Sequence, residues 1–169
     1  MKIYGIKKFI FVFIALNVLG SNVSASNRYV PSEHVILAEE ITEKVKRKIL
    51  EKYKNLNIKH FGDGGGFIGG VNLLSLDFMI RGPLSKDELR AMLIYSVEEY
   101  LTCVNANEKV RPFLKNYPFT YNEIEIGFFI KNRNGGELFD PDISIAHFYL
   151  GKLHYDTIDG DNVLKYKNE

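Results

Sequence analysis

The segment VNLLSLDFMI, residues 71–80, has the alternation that most constrains the fold. One set of alternate positions is wholly apolar, and it consists of Leu74, Leu76, Phe78 and Ile80. The other set mixes Leu73, Ser75, Asp77 and Met79. Side chains in a strand alternate between two faces, so this pattern predicts a strand with one strongly apolar face that must pack against another layer. The segment NEIEIGFFIK, residues 122–131, repeats the pattern with Ile124, Ile126, Phe128 and Ile130.

Two segments have helical rather than strand periodicity. Apolar residues recur every three or four positions over residues 31–53, with Ser32 as the expected N-cap, and again over residues 84–107. In the second segment Ser85 and Glu88 have the spacing of a capping box. Cys103 falls within this helix and is expected to be a small core residue.

Residues 143–156 are expected to form one long final strand. The predicted order is therefore α-β-α-β-β, and the predicted fold class is α+β. We expect a two-layer sandwich in which both helices pack on one face of a small, mainly antiparallel sheet. The remaining face, called the second face below, is expected to carry Leu73, Asp77, Met79, Glu125 and Phe129, together with residues of the last strand.

Residues 1–25 have the layout of a secretory signal peptide. Lysines at positions 2, 7 and 8 precede a stretch of twelve mostly apolar residues, and small residues lead to Ala25. The prediction is a cleaved signal followed by a single domain, residues 26–169, exported to the periplasm or the extracellular space. No stable transmembrane segment is expected after cleavage. Cys103 is the one cysteine in the chain, so no intramolecular disulfide can form.

Charge and motif content argue against several functions. Cleavage would remove three of the 22 basic side chains and none of the 21 acidic ones, leaving a net charge of about −2, which argues against nucleic-acid binding. Neither a metal site nor a cofactor is expected, since no HExxH or CxxC spacing occurs. His147 and His154 are seven positions apart. In one continuous strand they would point to opposite faces, unless a bulge near Gly151 intervened.

The segment HFGDGGGFIGG, residues 60–70, contains six glycines in eleven positions. Phosphate-binding glycine loops precede a helix, whereas these glycines follow a helix and precede a strand. Three interpretations remain: a structural connection, an interaction loop that carries aromatic residues, or a small-ligand or catalytic loop. The segment RPFLKNYPFT, residues 111–120, is expected to be an extended arm, because Pro112 and Pro118 exclude a regular helix or a central strand.

The sequence favours a non-enzymatic binding or assembly module that acts on an unidentified protein or envelope component, and a homo-oligomer is compatible with it. The expected contact residues are Phe61, Asp63, Phe67, Ile68, Arg111, Phe113 and Tyr117. The alternative is a small hydrolase or ligand-binding enzyme that uses His60, Asp63 and Arg111 around the glycine-rich segment. A purely structural protein is a third reading.

Overall fold

The computed structural model describes residues 30–159 and 164–166 of the chain. The chain divides into two units, Met1–Val30 and Pro31–Glu169, and the second is described here. The proposed signal segment, residues 1–25, lies outside the described residues. The helices and strands are α1 Glu33–Lys52, β1 Lys59–Gly66, β2 Leu73–Arg81, α2 Lys86–Asn105, β3 Ile124–Lys131, β4 Ile145–Tyr149, β5 Lys152–Ile158 and β6 Leu164–Tyr166.

The strands form one mixed sheet in the order β1-β2-β3-β4-β5-β6. Strands β2 and β3 are parallel and are joined through α2, while the other neighbouring strands pair antiparallel. A parallel pair needs a long crossover connection, and α2 supplies it. Strand β1 is therefore an outer strand of this sheet.

Both helices share one hydrophobic core with the sheet. The alternate residues of β2 and β3 predicted to be apolar are all buried, and they belong to the same cluster as Ile41 and Ile49 of α1 and Leu89 and Leu93 of α2. Cys103 is 6% exposed and belongs to this cluster, as expected from the sequence. These observations confirm the α+β class.

The two helix starts differ in how they are capped. At α2 the Ser85 hydroxyl accepts a hydrogen bond from the Glu88 N–H at 3.3 Å, and Glu88 Oε2 accepts one from the Ser85 N–H at 2.8 Å. This is the predicted capping box. At α1, Ser32 occupies the N-cap position but its side chain makes no capping hydrogen bond.

The predicted order of elements was wrong because the sheet has three more strands than predicted. The order is α-β-β-α-β-β-β-β. The first error is that the glycine-rich segment is not a loop: residues 59–66 form β1 and pair with β2. Glycine is depleted in strands because it loses much backbone entropy and contributes no side-chain packing. Here the Gly62–Gly66 stretch takes its geometry from the strongly apolar β2 beside it.

The second error concerns residues 143–156, which form a hairpin rather than one strand. Leu150 and Gly151 both have positive φ, 49° and 72°, and connect β4 to β5 in a tight turn. The turn places His147 directly opposite His154 in the ladder. The two histidines therefore share one face, contrary to the prediction.

Candidate functional site

The glycine-rich strand β1 lies along one edge of the sheet. Gly62 to Gly66 pair in continuous register with Asp77 to Leu73 of β2, and Asp63, Gly64 and Gly65 are exposed. Within the described chain, the backbone of residues 62–65 makes no hydrogen bond outside the strand ladder. A run of backbone donors and acceptors, almost bare of side chains, is thus left along this edge.

A β-bulge interrupts β1 at Phe61. The register shifts between His60 and Gly62, which leaves Phe61 without a partner in β2. Its ring lies 5.1 Å from the ring of Phe129 on the second face, yet Phe61 remains 58% exposed. The bulge therefore turns this predicted contact residue toward the second face and away from Asp63.

A groove of about 340 Å³ lies between α1 and β1. Its lining residues are Glu39, Thr42, Glu43, Asp63, Gly64 and Phe67. At its edge His60 Nε2 lies 2.8 Å from Asp63 Oδ1, although the ring N–H is not aligned for a hydrogen bond. Lys46 contacts Glu43, while Glu39 is exposed. The groove is thus predominantly acidic.

The far end of the glycine-rich segment is held by the proline-containing arm. The Val71 N–H donates to the Phe113 carbonyl at 2.8 Å, and the Lys115 N–H donates to the Val71 carbonyl at 3.0 Å. A Cβ on Gly70 would stand 2.5 Å from the Phe113 oxygen, so a side chain at position 70 would obstruct this contact. The arm therefore fixes where β2 begins.

The predicted contact residues do not form one cluster. The His34 ring lies between Phe67 and Phe113, with centroid distances of 6.4 and 5.9 Å, and joins those two. The Arg111 guanidinium stacks 4.8 Å from the Tyr117 ring centroid, and Arg111 is not among the groove-lining residues. Ile68 is 92% exposed. Of His60, Asp63 and Arg111, the structure brings the first two together.

A polar row that was not predicted from the sequence crosses the second face. Successive ladder partners are Gly62, Asp77, Gly127, His147 and His154, one on each strand from β1 to β5. The His147 and His154 rings are 4.9 Å apart. Asp156 lies two positions from His154, and its Oδ2 is 3.9 Å from His147 Nδ1. Glu125 and Phe129 flank the row on β3.

Burial shifts the pKa values of four groups in and beside this row. Desolvation raises the pKa of Asp77 above its ordinary value, while nearby His147 and His60 act in the opposite direction. Desolvation, with the neighbouring Asp77 charge, raises the pKa of Glu125. Desolvation lowers the pKa of His147, and it raises the pKa of Asp156. Each shift favours the neutral form of its group.

A cavity of about 240 Å³ opens beside the row. Its lining residues are Asp77, Glu125, Ile126, Gly127, Phe129, Ile145, His147, Phe148 and Tyr149. Among the described residues, no three His, Cys, Asp or Glu side chains converge as ligands of one metal ion. No helix in the described ranges combines the length and apolarity needed to cross a membrane.

The sequence signal for this row is Gly151, because glycine is favoured at the second position of a two-residue hairpin turn. Two-residue hairpin turns with positive φ at both positions favour Asn-Gly or Asp-Gly, and leucine is rarely found at the first of them. If residues 150 and 151 are identified as a turn, His147 and His154 are cross-strand partners. The pairing of the neighbouring strands then gives the rest of the row.

The chain matches no protein-family model, no curated protein and no solved structure.

Proposed function

We propose that the protein is an exported, non-enzymatic binding module that captures an extended polypeptide segment by adding it as a strand to the β1 edge. Export is supported by the signal-like layout of residues 1–25. We further propose that the domain is a two-layer sandwich with both helices on the face formed by Leu74 and Ile126.

The observation that carries the proposal is the outer edge of residues 62–65, where the backbone groups that face away from β2 make no hydrogen bond within the described chain. An outer strand can accept another chain through main-chain hydrogen bonds, which is a recurring mode of peptide recognition. Natural proteins block such edges with charged side chains, prolines or bulges. Here the bulge lies before Gly62. Of the exposed residues that follow it, residues 63–65, Asp63 has a side chain and the other two are glycines.

The surroundings favour a basic segment. Glu39, Glu43 and Asp63 line the groove beside the edge, and complementary charge steers and orients an incoming chain. Phe61 and Ile68, which are 58% and 92% exposed, flank the edge and offer apolar contacts beyond its two ends. The partner expected from this chemistry is an extended protein segment that alternates basic and apolar residues.

An enzymatic role has less support. His60 and Asp63 are adjacent, but the His60 ring N–H does not point at the carboxylate, and the Arg111 guanidinium stacks on Tyr117 instead. A catalytic base must reach its proton with hydrogen-bond geometry and an orienting partner. The described residues of this region supply charge and backbone edges rather than such an arrangement.

The test uses a synthetic alternating lysine–valine peptide of about eight residues, the length of an average strand or slightly more. On titration into the protein, hydrogen exchange of those amides of residues 62–65 that face away from β2 should slow, because they become hydrogen-bonded to the peptide. The same peptide N-methylated at alternate amides should lose binding, since it cannot complete the ladder. Asp63→Lys should weaken binding about tenfold through charge repulsion.

Glu98→Lys is the matched control, because Glu98 is an exposed acid on α2 and does not line the groove. It should leave peptide affinity unchanged. The proposal fails if the peptide does not slow exchange in β1, or if N-methylation has no effect. It also fails if β1 pairs with β1 of a second copy, seen as a dimer in sedimentation that excludes the peptide.

A further inference from the structure

We propose that the second face carries a binding site for a small organic ammonium ion, held by Asp77 and Glu125 against the ring of Phe129. This site is separate from the β1 edge and does not depend on the proposed capture of a polypeptide.

The two glycines of the polar row create the space for this site. Gly62 and Gly127 flank Asp77 on β1 and β3, so no side chain stands beside the carboxylate within its row. A Cβ on Gly127 would stand 2.3 Å from Asp77 Oδ1, which shows that the carboxylate leans over β3 toward the cavity. Asp77, Glu125 and Phe129 all line that cavity.

The carboxylates lack a cationic partner. In the described chain neither Asp77 nor Glu125 forms an ion pair with a lysine or arginine, and Asp77 contributes to raising the pKa of Glu125. Part-buried carboxylates that repel each other are destabilising unless a positive charge compensates them. A bound cation between them would supply that compensation.

Asp156 is a further acid on this face, beyond the cavity lining. It lies on the same face, is 2% exposed, and its buried Oδ1 has no hydrogen-bond partner. Its other oxygen faces His147, which lines the cavity, and burial disfavours the protonated form of His147. A buried carboxylate oxygen without a partner is costly, so the cavity-lining His147 has an uncompensated acid beside it.

The cavity defines the class of the cation. Its volume of about 240 Å³ is below the roughly 300–1,000 Å³ of pockets for drug-sized ligands, so the ligand is small. The aromatic rings of Phe129 and Tyr149 in the lining favour an ammonium with apolar carbon attached, through cation–π and apolar contacts. A metal ion is disfavoured because no three ligating side chains converge in the described residues.

The test titrates benzylammonium chloride into the isotopically labelled protein and follows backbone amide resonances. Shifts should centre on Asp77, Glu125, Phe129 and His147. Asp77→Asn and Glu125→Gln remove charge with little change of shape, and each should weaken binding about tenfold, the effect of a charge-assisted contact. Glu98→Gln on α2 should bind as the original protein does. If Asp77→Asn does not fold, Glu125→Gln decides the question.

Benzyl alcohol has the same shape without the charge and should bind at least about tenfold more weakly. The proposal is overturned if benzyl alcohol binds as well as the amine, if no shifts occur on the second face, or if calcium or zinc chloride shifts the same resonances and displaces the amine. Asp63→Lys should leave amine binding intact, which keeps this result distinct from failure of the β1 proposal.

Discussion

The Asp77 carboxylate packs over the backbone of Gly127 on the neighbouring parallel strand. A Cβ at position 127 would stand 2.3 Å from Oδ1, closer than real Cβ contacts occur. A side chain at position 127 would therefore force the Asp77 carboxylate to move, and the present pair places an acid at the centre of the second face. That relationship can be tested apart from any ligand.

We expect Gly127→Ala to lower the free energy of unfolding by roughly 1–3 kcal/mol, the usual cost of overpacking a close contact. Removing the obstructing carboxylate in the double variant Gly127→Ala, Asp77→Ala should recover most of this loss. Urea unfolding of the two single variants and the double variant measures the coupling between the residues.

Gly62→Ala is the matched control, since a Cβ there would meet nothing within 4 Å. It should be neutral or stabilise the fold by up to about 1 kcal/mol, because alanine loses less backbone entropy than glycine. Equal destabilisation by both alanine variants would show that strand geometry, rather than the Asp77 contact, requires Gly127.

A second prediction concerns pH. Burial raises the pKa of Asp77 above its ordinary value of 3.8, so the folded state binds the Asp77 proton more tightly than the unfolded state. The stability that comes from this tighter proton binding is fully present at a pH below the pKa of Asp77 in the unfolded state. It is lost as the pH rises through the pKa of Asp77 in the folded state. Asp77→Asn should therefore stabilise the protein at about pH 7, and this gain should shrink as pH falls to about 4.

Three other titratable groups act on Asp77, namely His60 on β1, Glu125 on β3 and His147 on β4. Because the Asp77 charge raises the pKa of Glu125, Asp77→Asn should lower that pKa, as measured by NMR titration of the Glu125 side chain. An unchanged Glu125 titration would contradict the proximity of the two carboxylates. Glu98→Gln serves as the control for loss of a surface charge.

The sequence predicted those parts of the fold in which local pattern and burial agree. The alternation in residues 71–80 and the capping box at Ser85 determine their elements locally, and both were identified correctly. Strand β1 was missed because glycine has no strand preference of its own, and its strand geometry depends on pairing with β2. The polar row was missed because leucine is unusual at the turn position that Leu150 occupies, so residues 143–156 were predicted as one strand. Asp77 and Glu125 were assigned to the correct face, but their proximity to His147 could not be predicted without identifying that turn.

The hairpin turn yields a third prediction. Leu150 has a φ of 49°, which is a strained backbone conformation for leucine. Its side chain is 57% exposed, so burial does little to offset that strain. Leu150→Asn should stabilise the protein by about 0.5–1 kcal/mol, since asparagine tolerates this region. Leu150→Ala removes the same apolar surface without that tolerance and should give no gain. A thermal unfolding series compares the three proteins, and equal midpoints would contradict the assigned turn.

A buried hydrogen bond between the helices gives the fourth prediction. The hydroxyls of Thr42 on α1 and Tyr100 on α2 are 2.5 Å apart, and both residues are buried. Tyr100→Phe leaves the Thr42 hydroxyl without this partner and should cost about 1–2 kcal/mol, as should Thr42→Val. The double variant should lower the free energy of unfolding by less than the sum of the two single variants, because it leaves no buried hydroxyl without a partner. Strict additivity in the double-mutant cycle would show that the two hydroxyls do not interact.

The two helix starts offer the last prediction as a paired experiment. Ser85 makes both halves of a capping box, whereas Ser32 holds the same position without a capping hydrogen bond. Ser85→Ala should therefore lower the free energy of unfolding by about 1 kcal/mol, and Ser32→Ala by less than about 0.5 kcal/mol. Glu88→Ala should approach the Ser85→Ala loss, because it removes the acceptor for the Ser85 N–H. Equal effects at Ser32 and Ser85 would mean that serine contributes at both sites through the extended N-cap backbone alone.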